Sequence, residues 1–227
     1  MDSLSTAPVA DVLARLFAEA EAADQPLFER FAEIPQDEGA TRLLEEEAKD
    51  YRKVYADFAG NYLSITAELG EFLYACARSI QARRIVEFGT SFGISTVYLA
   101  TALADGGGGH LIGSELEPTK AQRAQENLAA AGVGELADIR VGDALETLAD
   151  VGGPVDMVML DGAVSLYLPV LRVLEPQLRT GALVIAENAI EESTEYLAHV
   201  RDRANGYRTV GLPFDEGRGN QMSVVTR

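Results

Sequence analysis

The spacing of apolar residues changes once along this chain. Up to about residue 80 they recur at helical intervals, and from Arg84 onward short apolar runs alternate with helical stretches. Near the start, Val12, Leu13, Leu16 and Phe17 share one helical face, and Pro8 suits a first helical turn. The segment QPLFERFAEIPQDEGA, residues 25–40, reads as a broken helix and loop. TRLLEEEAKDYRKVYADFAGNYL, residues 41–63, is helical again, with Leu44, Ala48, Tyr51 and Tyr55 on one stripe and Glu45 to Glu47 on a solvated face. In ITAELGEFLYACARSI, residues 65–80, Thr66 can cap and Glu68 suits the N-terminal turn. Leu69, Phe72, Leu73, Cys76, Ala77 and Ile80 then keep the helical period.

The second part predicts strands at Ile85–Phe88, His110–Ser114, Ala137–Val141, Val155–Leu160, Ala182–Ala186, Tyr207–Gly211 and Gln221–Thr226. Helices fall near 93–104, 117–131, 165–178 and 190–204. This alternation implies an α/β fold: a doubly wound, mostly parallel seven-stranded sheet with helices on both faces. Only LPFDEGRGN separates the last two strands, so they form a hairpin and the final strand runs antiparallel. Residues 1–60 are expected as a helical extension, a lid or dimer surface, and 61–227 as the ligand-binding domain. DGGGGH, residues 105–110, reads as a flexible link.

Composition narrows the function. A chain of 227 residues, 47% hydrophobic, suffices for one α/β domain and a short extension. No apolar run reaches the roughly 18–20 residues that cross a bilayer. The start, MDSLSTAPVADVLARLF, lacks a basic region followed by an apolar stretch, so it does not read as a signal peptide and a cytoplasmic location is expected. The single cysteine, Cys76, excludes an internal disulfide and a cysteine-cluster metal site, and reads as a small core hydrophobe. A net charge of −17 argues against nucleic acid and anionic membranes as partners.

Candidate chemistry begins at RRIVEFGTSFGISTVYLA, residues 83–100. A strand ends at Glu87 and a glycine-rich turn leads into a helix, but the spacing is E-x-G-x-x-x-G rather than the G-x-G-x-x-G of dinucleotide sites. Gly89 and Gly93 allow close backbone approach, and Ser95 adds a donor near a helix start. Glu115 ends the second strand, where a carboxylate can accept both hydroxyls of a ribose. Asp143 follows the third strand and could accept from an adenine amino group.

IVEFGTSFGISTVYLA, SELEPTKAQRAQENLAAAG, VGDALETL and DMVMLDGAVSLYLPVLRVLEPQLRTGALVIAENA resemble successive motifs of class I S-adenosylmethionine-dependent methyltransferases. More narrowly, they are similar to the catechol and caffeoyl-coenzyme A O-methyltransferase group, from about Ile65 to the C-terminus. The resemblance implies that Ile65, Glu87, Gly89, Thr90, Ser91, Gly93 and Ser95 line the methionine end of S-adenosylmethionine. Glu115 with Leu116 would take the ribose, and Asp143 with Ala144 would flank the adenine. It also implies a Mg²⁺ site from Asp161, Glu187 and Asn188, with Asp161 bordering the donor and acting in catalysis and Tyr167 at the acceptor.

Two departures stand out. Glu187 replaces the usual Asp. In DGAVSLY, Ala163 and Val164 replace the second Asp and the Lys of D-x-D-K-x-x-Y, and that Lys is the family's usual general base. Three readings stay open: a metal lowers the acceptor pKa without a lysine, the transfer is metal-independent with Asp161 or another group taking the proton, or the site only binds donor and has lost activity. Among other candidates, His110 begins a strand at the wrong end of the sheet, and His199 is expected on the outer face of its helix. Tyr51, Tyr55 and Tyr62 could reach the site if the N-terminal helices cover it, but core or interface packing is the favoured reading for them. PFDEGRG, with Arg218 as its only base, could border the acceptor, but a solvated turn is the favoured reading. The favoured reading is an O-methyltransferase of a small hydroxylated, aromatic acceptor, with a homodimer as its expected assembly. A tRNA-base methyltransferase and a dinucleotide oxidoreductase are the competitors.

Overall fold

The computed structural model describes residues 3–31, 36–189, 194–213 and 219–227. Helix α1 spans Val9–Phe31, α2 Gln36–Asp57 and α3 Ala67–Ser79. Strand β1 (Arg84–Phe88) leads to α4 (Ile94–Asp105), β2 (His110–Glu115), α5 (Pro118–Ala130), β3 (Ala137–Val141) and the short α6 (Ala144–Thr147). Then come β4 (Val155–Leu160), α7 (Tyr167–Leu174), β5 (Leu178–Ala186), α8 (Thr194–Arg201), β6 (Tyr207–Gly211) and β7 (Gln221–Val225). The seven strands lie in the order β3-β2-β1-β4-β5-β7-β6. β1 to β5 pair in parallel, and β7 runs antiparallel between β5 and β6, as a closing hairpin requires.

Local chemistry explains most element ends. Thr66 caps α3 by accepting the Leu69 N–H at 3.2 Å. The helix expected over 165–178 stops at Leu174, because Pro176 lies in the tight turn Glu175–Gln177, and β5 starts four residues earlier than expected. The break expected in residues 25–40 differs too: α1 continues through Pro26 to Phe31. Pro26 forfeits its N–H and crowds the carbonyl of the preceding turn, and burial of Leu27 one residue on offsets part of that cost. The expected start of the last helix at 190, and Arg218, lie outside the described residues.

Helices cover both faces of the sheet. On one face Leu16, Leu69, Leu73, Leu99 and Leu103 form a single cluster, and on the other Tyr167, Leu171, Leu174, Val200 and Tyr207 do. Helix α1 is built into the first of these. Val9, Val12, Leu13 and Leu16 are buried, and Arg15 donates to Asn127 on α5 at 2.8 Å. Leu16 is 0% exposed, so Leu16→Ala is expected to lower unfolding free energy by about 3 kcal/mol, read from denaturant midpoints. No described helix is long and apolar enough to cross a membrane.

Helix α2 behaves differently. Asp50 is extended at its middle, and its carboxylate accepts the Lys53 N–H at 3.1 Å, so a second helical segment starts there. That segment carries Tyr51, Arg52 and Tyr55 over the carboxyl ends of β1, β3 and β4.

Candidate functional site

Strand order reverses between β1 and β4, and the crevice outside their carboxyl ends is where open α/β sheets bind ligands. A cavity open to solvent lies there. Its wall includes Gly89 and Ser91 from the turn after β1, Glu115 and Leu116 after β2, Asp143 and Ala144 after β3, and Asp161 after β4. These seven expected residues thus come together. Of the remaining expected residues, Ile65, Glu87, Thr90, Gly93, Ser95, Tyr167, Glu187 and Asn188 do not line it.

The turn after β1 is organised from behind. Glu87 is 0% exposed and accepts hydroxyls from Thr90 (3.0 Å), Ser95 (2.7 Å) and Thr96. Burial pushes its pKa up against the pull of those hydroxyls. Glu87, Thr90 and Ser95 therefore brace the turn and face away from the cavity. Gly93 begins α4 against Ala124, and Ile65 turns into the core. Tyr62 and Leu63 take the wall position that Ile65 was expected to hold. The buried Asp24 carboxylate fixes them, accepting from Tyr62 N (2.8 Å), Leu63 N (2.7 Å) and the Asn61 amide (3.1 Å).

Glu115 is held from two sides. One oxygen accepts the Ser91 N–H at 2.7 Å and the other the Glu117 N–H at 2.8 Å. Each oxygen keeps further lone-pair capacity, so the carboxylate is aimed before any ligand arrives. Lys120 lines the cavity beside it, only 5% exposed, with its ammonium 5.5 Å from the Phe92 ring centre. Burial lowers its pKa, although Glu115, Asp24 and Glu117 oppose that.

Asp143 is more engaged than its expected role requires. It caps α6 through the Leu145 N–H at 2.9 Å, and its other oxygen accepts from Tyr51 and Arg52 of α2. Burial raises its pKa, but these donors outweigh it and hold the carboxyl below its ordinary value. Burial and Asp143 together push the Tyr51 hydroxyl up to about 12. The second segment of α2 therefore closes the end of the cavity where adenine was expected.

Asp161 sits where β1 and β4 meet. Its N–H donates to Phe88 O at 2.8 Å, and its own carbonyl lies against Gly89. Leu160 pairs with Ala186 in register, so Asp161 and Glu187 leave adjacent strand ends together. Tyr167 is 1% exposed and donates to the Glu187 carbonyl at 2.7 Å, with its ring edge-on to Phe88 and Tyr196. The first turn of α7 points it into the core, so it props the turn after β5 instead of reaching a ligand. Asn188 follows in left-handed conformation (φ 53°), its N–H on the Asn220 side chain at 3.2 Å. Among the described residues, no group of three or more His, Cys, Asp and Glu side chains is arranged for a metal.

Two expectations need correction. Glu47, expected on a solvated face, is 1% exposed and accepts from Tyr55 OH (2.8 Å) and Ser165 N (2.9 Å). The local pattern did not reveal it: Ala48 of the expected stripe is exposed, and the break at Asp50 separates Glu47 from Tyr51 and Tyr55. His199 is not on an outer face but packs inward, with Nε2 2.9 Å from Glu175. His110 starts β2 at the far end of the sheet, as expected. Cys76 is half-buried, and burial pushes its thiol up to about 11, which leaves it inert at neutral pH.

Comparison with known proteins agrees with this geometry. Residues 86–189 match the family described as a methyltransferase domain. A catechol O-methyltransferase from Mycobacterium tuberculosis is 36% identical over 129 residues, covering 56% of this chain and 58% of that protein. Another from Niastella koreensis is 34% identical over 134 residues, covering 57% and 60%. The chain thus matches somewhat under two thirds of the length of these relatives. Among solved structures, the O-methyltransferase TomG from Streptomyces achromogenes, in complex with SAM, superposes with a TM-score of 0.66 at 27% identity, over 82% of this chain and 90% of that one. Over residues 86–189 the chain is therefore similar to methyltransferase domains, and it resembles the catechol and caffeoyl-CoA O-methyltransferases along more than half of its length.

Proposed function

We propose that this protein is an S-adenosylmethionine-dependent O-methyltransferase acting on a small hydroxylated, aromatic acceptor. The observation that carries the reading is Glu115, whose two oxygens are oriented by Ser91 and Glu117 at the strand end where a ribose diol is received. Charge supports it. Glu115, Glu117, Asp143 and Asp161 line the cavity against Lys120 alone among the described lining residues, an environment suited to a sulfonium and hostile to a pyrophosphate. That balance also counts against dinucleotides and nucleic acid. Oxygen as the methylated atom is favoured by the catechol and caffeoyl-CoA O-methyltransferase relatives.

The donor supplies an activated methyl group. The chain must aim it and hold an acceptor hydroxyl in line about 3–3.5 Å from its carbon. In this reading Glu115 fixes the ribose, Leu116 and Ala144 pack the nucleoside, and Asp161 meets the acceptor hydroxyl beside the methyl. The lid role falls to α2, which reaches the cavity through Tyr51 and Tyr55.

Asp161, Glu187 and Asn188 are hard oxygen donors on neighbouring strand ends, and Mg²⁺ commonly takes one or two carboxylates and keeps waters. By donor type the set suits that ion, although Glu187 and Asn188 do not line the cavity and no group of three or more described His, Cys, Asp and Glu side chains is arranged for a metal. When bound, Mg²⁺ would lower the pKa of the acceptor hydroxyl and orient it. Titrating Mg²⁺ calorimetrically into protein saturated with S-adenosylhomocysteine should give binding that Asp161→Ala abolishes. Heat unchanged by that substitution, or absent, would favour metal-independent transfer.

The donor assignment is tested by Glu115→Ala. Two charge-assisted hydrogen bonds of about 1.5 kcal/mol each predict roughly 100-fold weaker S-adenosylhomocysteine binding. An unchanged dissociation constant would place the ribose elsewhere.

A further inference from the structure

Val164 stands where the family's lysine would take the acceptor's proton, and its side chain carries none. A carboxylate from α2, more than a hundred residues earlier, is anchored beside it. Glu47 accepts the Ser165 N–H at 2.9 Å, one residue after Val164, and the Tyr55 hydroxyl at 2.8 Å. Tyr55 lines the cavity together with Asp161, Gly162 and Ala163, whereas Glu47 stands behind it. Because Tyr55 gives its one proton to Glu47, its oxygen offers lone pairs to a hydroxyl in the cavity.

We propose that Tyr55 and Glu47 form the proton exit for the acceptor hydroxyl, replacing the missing lysine. This rests on the O-methyl-transfer reading. The acceptor's proton passes to the Tyr55 oxygen as the Tyr55 proton passes to Glu47. The acceptor oxygen bonds the methyl carbon, and the electron pair of the broken carbon–sulfur bond returns to sulfur. The sulfonium and carboxylate charges are both neutralised, so no other reactant is needed.

The environment suits the two roles. Burial pushes the Glu47 carboxyl up, against the N–H of Ser165 and the Tyr55 hydroxyl, which makes it a stronger base than an exposed glutamate. Burial and Glu47 hold the Tyr55 hydroxyl well above its ordinary value, so Tyr55 bridges without ionising. The other titratable groups facing this pair are Asp161 after β4, Glu187 after β5 and Tyr167 at the start of α7. Glu47 itself accepts from Tyr55, Val164 and Ser165.

The test is single-turnover transfer from labelled S-adenosylmethionine by the full chain with Mg²⁺ present. Acceptors are catechol and a panel of phenols and aliphatic alcohols, and the variants are Tyr55→Phe and Glu47→Gln. Each is expected to lose about 100-fold in rate while binding S-adenosylhomocysteine nearly as wild type does. Wild-type rate should fall on the acid side as Glu47 protonates, and that limb should vanish in both variants, leaving a rate that rises with hydroxide. Adding Val164→Lys to Glu47→Gln should restore about tenfold. Variants as fast as wild type, or slower with an unaltered pH profile, would reduce Glu47 to an anchor for α2 and overturn the proposal. Wild-type protein that does not bind S-adenosylhomocysteine, or binds it and methylates none of the panel, would overturn the O-methyl-transfer reading and the proposal with it.

Discussion

Asp161→Ala is expected to slow methyl transfer about 1,000-fold while leaving S-adenosylhomocysteine affinity within a factor of about three. The separation follows from where the residue stands. Its backbone is fixed by β4 and by the N–H donated to Phe88, so removing the carboxylate leaves the strand end in place. The donor is proposed to be held by Glu115, which takes its orientation from Ser91 and Glu117 and not from Asp161. What disappears is the one carboxylate on the cavity wall at the β1–β4 junction, whether it meets the acceptor hydroxyl directly or through Mg²⁺. Single-turnover rates and calorimetric affinities on the same preparation decide this. Equal rates would remove Asp161 from the mechanism, and an equal loss in both would make it a donor residue.

The second large effect is on folding. Gly89→Ala is expected to lower stability by about 3 kcal/mol or more and to weaken S-adenosylhomocysteine binding at least tenfold. A Cβ at Gly89 would lie 2.3 Å from the Asp161 carbonyl oxygen and 2.6 Å from its carbon, both backbone atoms of a central strand end. It would also occupy φ +93°, which costs an L-residue about 1–2 kcal/mol. Gly108→Ala separates the two terms, because Gly108 has φ +100° but open space where its Cβ would go. Gly108→Ala should cost only the conformational term with donor affinity unchanged. Similar denaturant midpoints for the two variants would show that the β1–β4 junction yields at little cost.

Parts of the site were legible because their geometry is local. A strand of five or six residues ends at a fixed side of the sheet, so Gly89, Glu115, Asp143 and Asp161 could be placed on one rim from strand ends alone. Side-chain direction was harder to read. Glu87 is one residue from the rim but alternation turns it inward, where three hydroxyls hold it. Tyr167 matches a family motif, yet the first turn of α7 buries it against Phe88 and Tyr196. Glu47 looked solvated because two exposed glutamates precede it, and Asp143 looked available for adenine because its partners Tyr51 and Arg52 lie over ninety residues earlier.

The sequence by itself determined the alternation of strands and helices, the closing hairpin, the strand-end carboxylates and the loss of the lysine at Val164. Each depends on short-range periodicity, turn chemistry or residue identity, and all of these are written locally. Only the tertiary structure decided that α1 belongs to the core, that the kink at Asp50 swings Tyr51 and Tyr55 over the cavity, and that Glu47 is buried beside Val164. Those outcomes depend on which helix lies over which strand end. That is set by the packing of apolar surfaces far apart in the chain, and no window of neighbouring residues records it.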